Sequence, residues 1–412
     1  MTRLTPWTIG AAALLGSLLS TAPSDAAPPD CATTVTNPVY IQAGDTQTNL
    51  LKNLGRALRD NTPNPITLVF LTSGSCSNID IMYNHTAPIV KAMTYIPSIA
   101  EDPSWTPAST PLTCTPPAGL FPDVGNSAVF NSACTAQAAP ATVHVTNGPV
   151  QAYVLAVPEV SSQTAITYEE AYFVFGFGMS GMIAPWTNVA NMFIRTATKS
   201  TLITWADSIG VPVNKWQGGC GSGGGAGSGC DKSDQVVSLL QNSADPESAI
   251  GILGDEVYDA DRAFLNVLAF RSKGQYAAYY PDSTATARDK QNIRDGHYTV
   301  WSPTIWMDNV DGGGAPTNAN ARYVVDMIAG HPVTPAPNFL PDVVVANVGL
   351  VPDCAMRVSR SFDGGPLSLY TPQASCTCNY EKTVNQFTSC ATCDDTHACA
   401  SGVCRNHLCE AN

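Results

Sequence analysis

The sequence predicts an α/β fold followed by a small cysteine-rich segment. Two observations support the α/β part: apolar runs with strand-like alternation recur along the chain, and many of them are followed by apolar residues at helical spacing. This order is typical of βα units. The third observation is that eight of the 14 cysteines lie between Cys354 and Cys409, where the strand and helix patterns end. We therefore expect an α/β body with a disulfide-rich C-terminal extension.

The N-terminus has the pattern of a secretory signal peptide. Arg3 precedes an apolar run, Trp7 to Leu19, and residues 24–26 offer a small-x-small cleavage site. That run is too short to cross a bilayer, and no later run reaches the length of a membrane span. We expect an exported mature chain without a transmembrane segment, located in the periplasm or outside the cell. Its 14 cysteines, an even number, are expected to form disulfides.

The first strand-to-helix junction has the features of an anion-binding turn. Residues 39–43 alternate as a strand requires and end at Gly44, and leucines then recur at helical spacing between 50 and 58. The turn Gly44-Asp45-Thr46 would expose the unpaired N–H groups of a helix N-terminus, which suit a phosphate-like or carboxylate ligand. The alternative is an ordinary helix cap made by Asp45 or Thr46.

Two further turns have the same form. The apolar strand 66–71 runs into Ser73-Gly74-Ser75, and the strand-like residues 191–195 lead into the turn from Arg195 to Thr201. In the second of these, a fixed cation stands ahead of several hydroxyls and a helix that Gly210 ends. Arginine and hydroxyls in this arrangement can hold an oxyanion by charge-assisted hydrogen bonds. The alternative is a surface arginine beside a normal cap.

The remaining patterns continue the alternation to about residue 352. The Pro- and Thr-rich stretch 102–140 contains Cys114 and Cys134 and predicts a disulfide-pinned surface excursion, while Cys220 and Cys230 are predicted to close a glycine-rich loop. The acidic stretch 255–261 is expected to be a solvated turn, and Ca²⁺ binding by its carboxylates is the alternative. The other predicted elements are strands or extended segments at 150–157, 249–254, 267–270 and 298–303, a helix from Tyr168 after a capping pattern at Thr167, and a helix at 322–329.

The order of these pieces resembles the type II periplasmic binding fold, and within it the phosphate-binding proteins that serve ABC importers. The segments that carry the resemblance are Gly44-Asp45-Thr46, Ser73-Gly74-Ser75, Arg195 through Thr201, Ala249 through Ile252, and Asp295 through Trp301. The resemblance implies two α/β lobes that close over a ligand by hinge motion. The expected domains are a signal peptide at 1–26, a first part of lobe I at 31–160, lobe II at 161–260, a return to lobe I at 261–352 and a cysteine-rich tail at 353–412.

The resemblance also implies a set of ligand-binding residues in the three turns. They are Gly44, Asp45, Thr46, Ser73, Gly74, Ser75, Arg195, Thr198, Ser200 and Thr201. The chain departs from the family pattern at Asp45, which replaces a serine, and at Ala197 and Lys199, which stand near an aspartate and a glycine of the family. A carboxylate at position 45 would repel a phosphate dianion unless it accepts a proton from the ligand. A different oxyanion, a small organic acid and the loss of any ligand therefore all stay open.

Charge and motifs weigh against several function classes. The formal net charge of −13 disfavours binding to nucleic acid, although backbone N–H groups and hydroxyls can hold an anion in an acidic protein. We find no nucleotide loop, nucleophile elbow or metal-binding histidine motif, so we expect no catalytic residue, metal or cofactor. A metal site of Cys378, Cys390, Cys393 and His397 is the less favoured alternative to disulfides in the tail.

The sequence thus predicts a non-enzymatic, exported solute-binding protein that holds a small, phosphate-like oxyanion between two lobes. Its expected partner is an ABC importer or an envelope protein. The alternative is a secreted surface or adhesion protein that keeps the scaffold without a transport ligand. A secreted hydrolase is a third hypothesis, because catalytic residues can lie far apart in a sequence.

Overall fold

A computed structural model describes residues 28–221 and 224–411. The predicted signal peptide, residues 1–26, lies outside the described residues. The strands are β1 Pro38–Gly44, β2 Thr67–Ser73, β3 Met93–Tyr95, β4 Leu112–Cys114, β5 Val124–Ser127, β6 Val143–Pro158, β7 Ala165–Thr167, β8 Met192–Phe193, β9 Ile250–Gly254, β10 Leu265–Val267, β11 Ala269–Arg271, β12 Trp301–Asn309, β13 Val358–Ser359, β14 Ser368–Leu369, β15 Val403–Arg405 and β16 Leu408–Glu410.

Helices follow most of the strands of the main sheet, as the alternating pattern predicted. The helices are α1 Cys31–Thr34, α2 Thr48–Arg59, α3 Ser75–Asn84, α4 Tyr168–Phe177, α5 Ser200–Ile209, α6 Ser233–Gln241, α7 Asp255–Asp261, α8 Gln291–Arg294, α9 Ala319–Ile328, α10 Pro341–Asn347 and α11 Thr377–Asn385. The predicted capping box at Thr167 is present at the start of α4. In the described part of the chain, no helix is both long and apolar enough to cross a bilayer.

One ten-stranded sheet runs through the molecule in the order β4-β3-β2-β1-β5-β12-β6-β9-β8, with β10 also paired to β6. Strand β1 is parallel to both β2 and β5, whereas β12 is antiparallel to β5 and β6. The 16-residue strand β6 pairs with β12 through residues 143–152 and with β9 through residues 153–156. Strand β6 therefore joins two parts of the sheet, and we call these parts lobe I (β1 to β5 and β12) and lobe II (β8 to β10).

Each lobe buries both faces of its part of the sheet, as expected for an α/β fold. In lobe I, α2, α9 and α10 pack on one face around Leu54 and Val324, and α3 packs on the other around Ile79 and Met82. In lobe II, α4 and α5 cover one face, and α6 covers the other. The leucine stripe predicted for α2 forms the buried face of that helix. The two-lobed α/β architecture predicted from the sequence is confirmed.

Two predicted elements differ from the structure because their pairing depends on distant strands. Residues 267–270 were expected to form a single strand, but β10 pairs with β6 and β11 pairs with β7. The chain changes partner at Leu268, so the apolar run is divided. The predicted extended segment at 298–303 becomes β12, which begins at Trp301 and continues to Asn309 because it pairs with β6 over this length and also with β5.

Seven disulfides pair all 14 cysteines, and these pairs fit an oxidising compartment. They are Cys31–Cys114, Cys76–Cys134, Cys220–Cys230, Cys354–Cys376, Cys378–Cys390, Cys393–Cys404 and Cys399–Cys409. The predicted closure of the glycine-rich loop by Cys220 and Cys230 is confirmed. Three of the alternative metal ligands in the tail are disulfide-bonded and therefore offer no thiolate.

The first half of the cysteine-rich tail packs against the α/β body. Ala355, Met356 and Tyr380 are buried in the same core cluster as α4 and α5. The guanidinium carbon of Arg294 lies 4.9 Å from the centre of the Tyr380 ring, which fixes α11 against the body. The disulfide Cys354–Cys376 closes this segment, so the first half of the tail packs against the body. The second half, after α11, forms a small disulfide-rich module in which Glu410 accepts hydrogen bonds from the backbone N–H groups of Cys378 and Asn379 on α11.

Candidate functional site

The three predicted turns converge where lobe I meets lobe II. Gly44 and Ser73 are register partners at the ends of parallel strands β1 and β2, which places the first two turns at one edge of the sheet. The third turn, 195–201, precedes α5 in lobe II. A Cβ atom built on Gly74 would lie 2.9 Å from both the carbonyl oxygen and the Oγ1 of Thr198. The second and third turns therefore touch directly, and glycine is needed for this close approach.

The carboxylate of Asp45 reaches from lobe I into a group of donors in lobe II. Its Oδ2 accepts hydrogen bonds from Arg195 Nη2 at 2.9 Å, from the backbone N–H of Ser233 at 3.2 Å and from Ser233 Oγ at 3.1 Å. Its Oδ1 lies 3.8 Å from Lys199 Nζ. Two cations and one helix N-terminus thus surround a single carboxylate, and we call Asp45, Arg195, Lys199, Asp231 and Ser233 the interlobe cluster.

Four hydrogen bonds hold the Arg195 guanidinium in place among the described residues. Its Nε donates to the carbonyl of Cys230 at 3.0 Å, Nη1 donates to Ser233 Oγ at 2.6 Å, and Nη2 donates to the carbonyl of Asp231 at 2.8 Å as well as to Asp45. The Arg195 side chain is 0% exposed. A buried guanidinium requires this many partners, because an unpaired charge in the interior is costly.

The disulfide-closed loop helps to place these partners. Cys230 forms an isolated β-bridge with Arg195, and its disulfide to Cys220 holds the loop end beside the turn. Ser233 follows as the first residue of α6, so its N–H is one of the unpaired donors at that helix end. Lys199 Nζ lies 3.1 Å from Asp231 Oδ1, and the hydrogen bond and charge of Lys199 lower the pKa of Asp231.

Sequence reasoning missed Asp231 and Ser233. The available signal was the start of α6, which follows directly after the disulfide-closed glycine loop. A serine at such a position can cap the helix or bind a ligand. Because Ser233 is far in sequence from the turns of lobe I, no local pattern placed it beside them. The contact between Ser233 and Asp45 joins residues 188 positions apart.

Several predicted site residues have other surroundings and do not belong to the interlobe cluster. Ser75 Oγ accepts a hydrogen bond from the backbone N–H of Ala128 at 3.1 Å. Thr46 Oγ1 donates to Gln151 Oε1 at 3.2 Å. Ser200 and Thr201 are buried at the start of α5, where Thr201 Oγ1 has no hydrogen-bond partner in the described part of the chain. Gly44, Ser73, Gly74 and Thr198 contribute backbone at the junction of the turns.

A chain of buried amides and one carboxyl group extends from the first turn along the lobe junction. Gln151 on β6 accepts from Gln47 Nε2 at 2.6 Å and donates to Glu256 Oε2 at 3.2 Å. Burial raises the pKa of Glu256 well above its usual value, and the charges of Asp255 and Asp45 add to this effect. Burial therefore disfavours the ionised form of Glu256, which has no cationic partner among the described residues.

The acidic stretch after β9 is a buried ionic network, and its prediction as a solvated turn is wrong. Lys290 Nζ lies 2.9 Å from Asp255, 2.7 Å from Asp259 and 3.4 Å from Asp282. Burial by itself would lower the pKa of Lys290, but the three carboxylates raise it well above its usual value. Local composition predicted solvent exposure because the compensating lysine lies about thirty residues further along the chain. The network links Asp255 and Asp259 of α7 to Asp282 through Lys290.

No protein-family model matches the chain, and no curated protein matches it. Among solved structures, a substrate-binding protein assigned to phosphate ABC transport in Clostridium perfringens, with bound phosphate, gives a TM-score of 0.49 at 11% identity, covering 77% of this chain and 99% of that one. An ABC-type phosphate transport receptor from Vibrio cholerae gives 0.46 at 12% identity, covering 76% and 99%. The CcmR regulatory domain of Synechocystis in complex with 2-PG gives 0.39 at 6% identity, covering 71% and 96%.

These similarities are too low to carry an argument about ligand or function. The proteins found include both transport receptors and a regulatory domain, so their names do not agree on one activity. The two-lobed α/β fold and the disulfide-rich C-terminal extension are shown by the strand order and the disulfides of the chain itself.

Proposed function

We propose that this chain is an exported binding protein that holds a small oxyanion, such as phosphate or a carboxylate, between its two lobes. The observation that supports the proposal is the environment of Asp45 Oδ2. One anionic oxygen accepts three hydrogen bonds from Arg195 and Ser233, and a second cation, Lys199, stands nearby. Groups arranged in this way stabilise any oxyanion that presents an oxygen at the same place.

The proposal does not require a positively charged protein. The whole chain carries a net charge of −13, but hydrogen bonds from a buried guanidinium, a helix N-terminus and a hydroxyl act over a short range. Such charge-assisted bonds contribute about 1.5 to 3 kcal/mol each. The local donor arrangement therefore decides whether an anion binds, and the distant acidic surface mainly slows its approach.

The same contacts favour a second candidate function. Asp45 already fills the donor group and links lobe I to lobe II, as expected of a protein that keeps its lobes closed without an external ligand. Such a protein would act through its surface, where the small module after α11 and the long loops are available for protein contact. If the chain is an anion-binding protein, its expected partner is an ABC importer. If it is a surface protein, its expected partner is an envelope protein.

Calorimetric titration with phosphate, sulfate and acetate tests the proposal. We expect the wild-type chain to bind at least one of these anions with a stoichiometry of one. Arg195→Lys keeps the charge but loses the planar donor fork, so it should weaken binding by about 1.5 to 3 kcal/mol. Arg271→Gln is the matched control, because Arg271 forms an exposed ion pair with Glu169 in another part of lobe II.

Equal binding by wild type and Arg195→Lys would contradict the proposed site. No binding of any of the three anions, by wild type or by a variant in which Asp45 is removed, would contradict the proposed function and favour the surface-protein candidate. Circular dichroism of each variant would establish that the fold is retained.

A further inference from the structure

We infer that Asp45 is a built-in competitor of the ligand, and that an external monoanion binds only when Asp45 leaves the interlobe cluster. This inference rests on the proposed function, since it describes how the same site is regulated. Its starting observation is that the hydrogen bonds and ion pairs of the Asp45 carboxylate, within the described chain, all go to lobe II. The Asp45 carboxylate thus uses the donors that an external oxyanion would need.

The charge balance of the cluster makes simultaneous occupancy unfavourable. Arg195 and Lys199 supply two positive charges, and Asp45 and Asp231 supply two negative charges at short range. An external anion bound beside Asp45 would add a third negative charge in a partly buried site. When Asp45 leaves, the cluster has one net positive charge, which matches a monoanion such as a carboxylate or dihydrogen phosphate.

The cluster keeps its donors in place without Asp45. Arg195 is held within lobe II by the carbonyls of Cys230 and Asp231 and by Ser233 Oγ. The Ser233 N–H is fixed by the first turn of α6. The donor group is therefore preorganised, and a ligand would not have to order it.

Asp45 is the member of the central contact that can move. Its side chain is 16% exposed, compared with 0% for Arg195 and 9% for Lys199. It lies on a short 3-10 turn between β1 and α2, and its carboxylate makes no hydrogen bond within lobe I among the described residues. A rotation of this side chain, or a small opening of the lobes, would free the donors without unpacking either core. The contact is therefore an autoinhibitory one.

Substitution of Asp45 tests the inference. Asp45→Ser removes the competing charge, and Asp45→Asn keeps the size of the side chain but not its charge. We expect acetate and phosphate at slightly acidic pH to bind at least tenfold more tightly to Asp45→Ser than to wild type, with a smaller gain for Asp45→Asn. Asp326→Asn on α9 is the matched control, because it removes the same charge from a half-buried position in lobe I.

The possible outcomes separate this inference from the proposed function. A tenfold gain, or binding that appears only in Asp45→Ser, supports the inference. Equal affinity in wild type and Asp45→Ser overturns the competitor role and leaves anion binding intact. No binding by either chain overturns the proposed function.

The amide of Ser233 gives a second measurement that does not depend on affinity. In Asp45→Ser without anion, its NMR resonance should move and its hydrogen exchange should quicken, because the acceptor Asp45 Oδ2 is absent. Acetate should restore both towards the wild-type values. An unchanged Ser233 resonance in the folded variant would overturn the inference.

Discussion

At the residue scale, the stability of the protein depends on the protonation of a buried carboxyl group at the junction between the lobes. Asp363, on the loop between β13 and β14, accepts a hydrogen bond from the backbone N–H of Phe130 in lobe I at 2.9 Å. Its other carboxyl oxygen has no partner among the described residues. Burial raises the pKa of Asp363 from 3.8 to about 6. The ionised form therefore costs free energy in the folded protein.

We predict that Asp363→Asn stabilises the folded protein at pH 7.5. The amide oxygen can still accept from Phe130, and the variant avoids the cost of ionisation, which is at most about 3 kcal/mol for a shift of this size. Because the folded-state pKa is raised, the contribution of Asp363 to wild-type stability falls as the pH rises from about 4 to about 6. Below that window the two proteins should be equally stable.

Urea denaturation at pH 4 and pH 7.5 measures this difference. The free energy of unfolding of Asp363→Asn should exceed that of wild type only at the higher pH. If the free energy of unfolding changed equally with pH in the two proteins, the raised pKa of Asp363 would be contradicted.

At the scale of elements, the turn between β2 and α3 controls how closely the lobes approach. Gly74 has φ −82° and ψ 150°, a conformation open to any residue, so its glycine is not required by the backbone. What requires it is space, since a Cβ would lie 2.9 Å from the Thr198 carbonyl oxygen. The site therefore depends on one missing methyl group where two turns from different lobes meet.

We predict that Gly74→Ala weakens the closed arrangement of the lobes and leaves the secondary structure unchanged. The added methyl group should lower the free energy of unfolding by about 1 to 3 kcal/mol, because the lobes must move apart to relieve the clash. Hydrogen exchange at the Ser233 amide should then be faster. Gly312→Ala is the matched control, because no atom lies within 4 Å of the Cβ built there. Slower exchange or unchanged stability in Gly74→Ala would show that the turns do not carry the lobe contact.

At the scale of the whole molecule, the C-terminal disulfides divide into one that supports the body and others that support the small module. Cys354–Cys376, with a sequence separation of 22, closes a segment whose Ala355 and Met356 are buried with α4 and α5. Cys393–Cys404, with a separation of 11, lies beyond α11 and joins Cys393 to β15 of the hairpin of β15 and β16. Removal of each disulfide should therefore affect the stability of the body and of the small module differently.

We predict that Cys354→Ser with Cys376→Ser lowers the stability of the body by about 3 kcal/mol, as loop-closure entropy predicts for this separation. The matched pair Cys393→Ser with Cys404→Ser should change the main unfolding transition much less. Differential scanning calorimetry measures both. An equal loss in the two variants would mean that the module and the body unfold as one unit.

The sequence by itself determined the features that depend on neighbouring residues. The α/β class, the three turns after strands, the helix α2, the capping box at Thr167 and the closure of the glycine loop were predicted, because periodicity, capping and short loops are local. The resemblance to a two-lobed family predicted that the three turns would meet at one junction, but their order in the sequence did not by itself require it. The ligand roles of their residues remain predictions.

Only the tertiary structure decided which side chains from distant parts of the sequence contact one another. Asp45 meets Arg195 across 150 residues of sequence, Ser233 joins them from α6, and Lys290 neutralises an acidic stretch that composition predicted to be solvated. Such contacts depend on how β6 and the helices pack the lobes together, which no local pattern encodes. Because of the same packing, the carboxylate of Asp45 lies at the centre of the interlobe cluster, although the sequence also allowed it to be a helix cap.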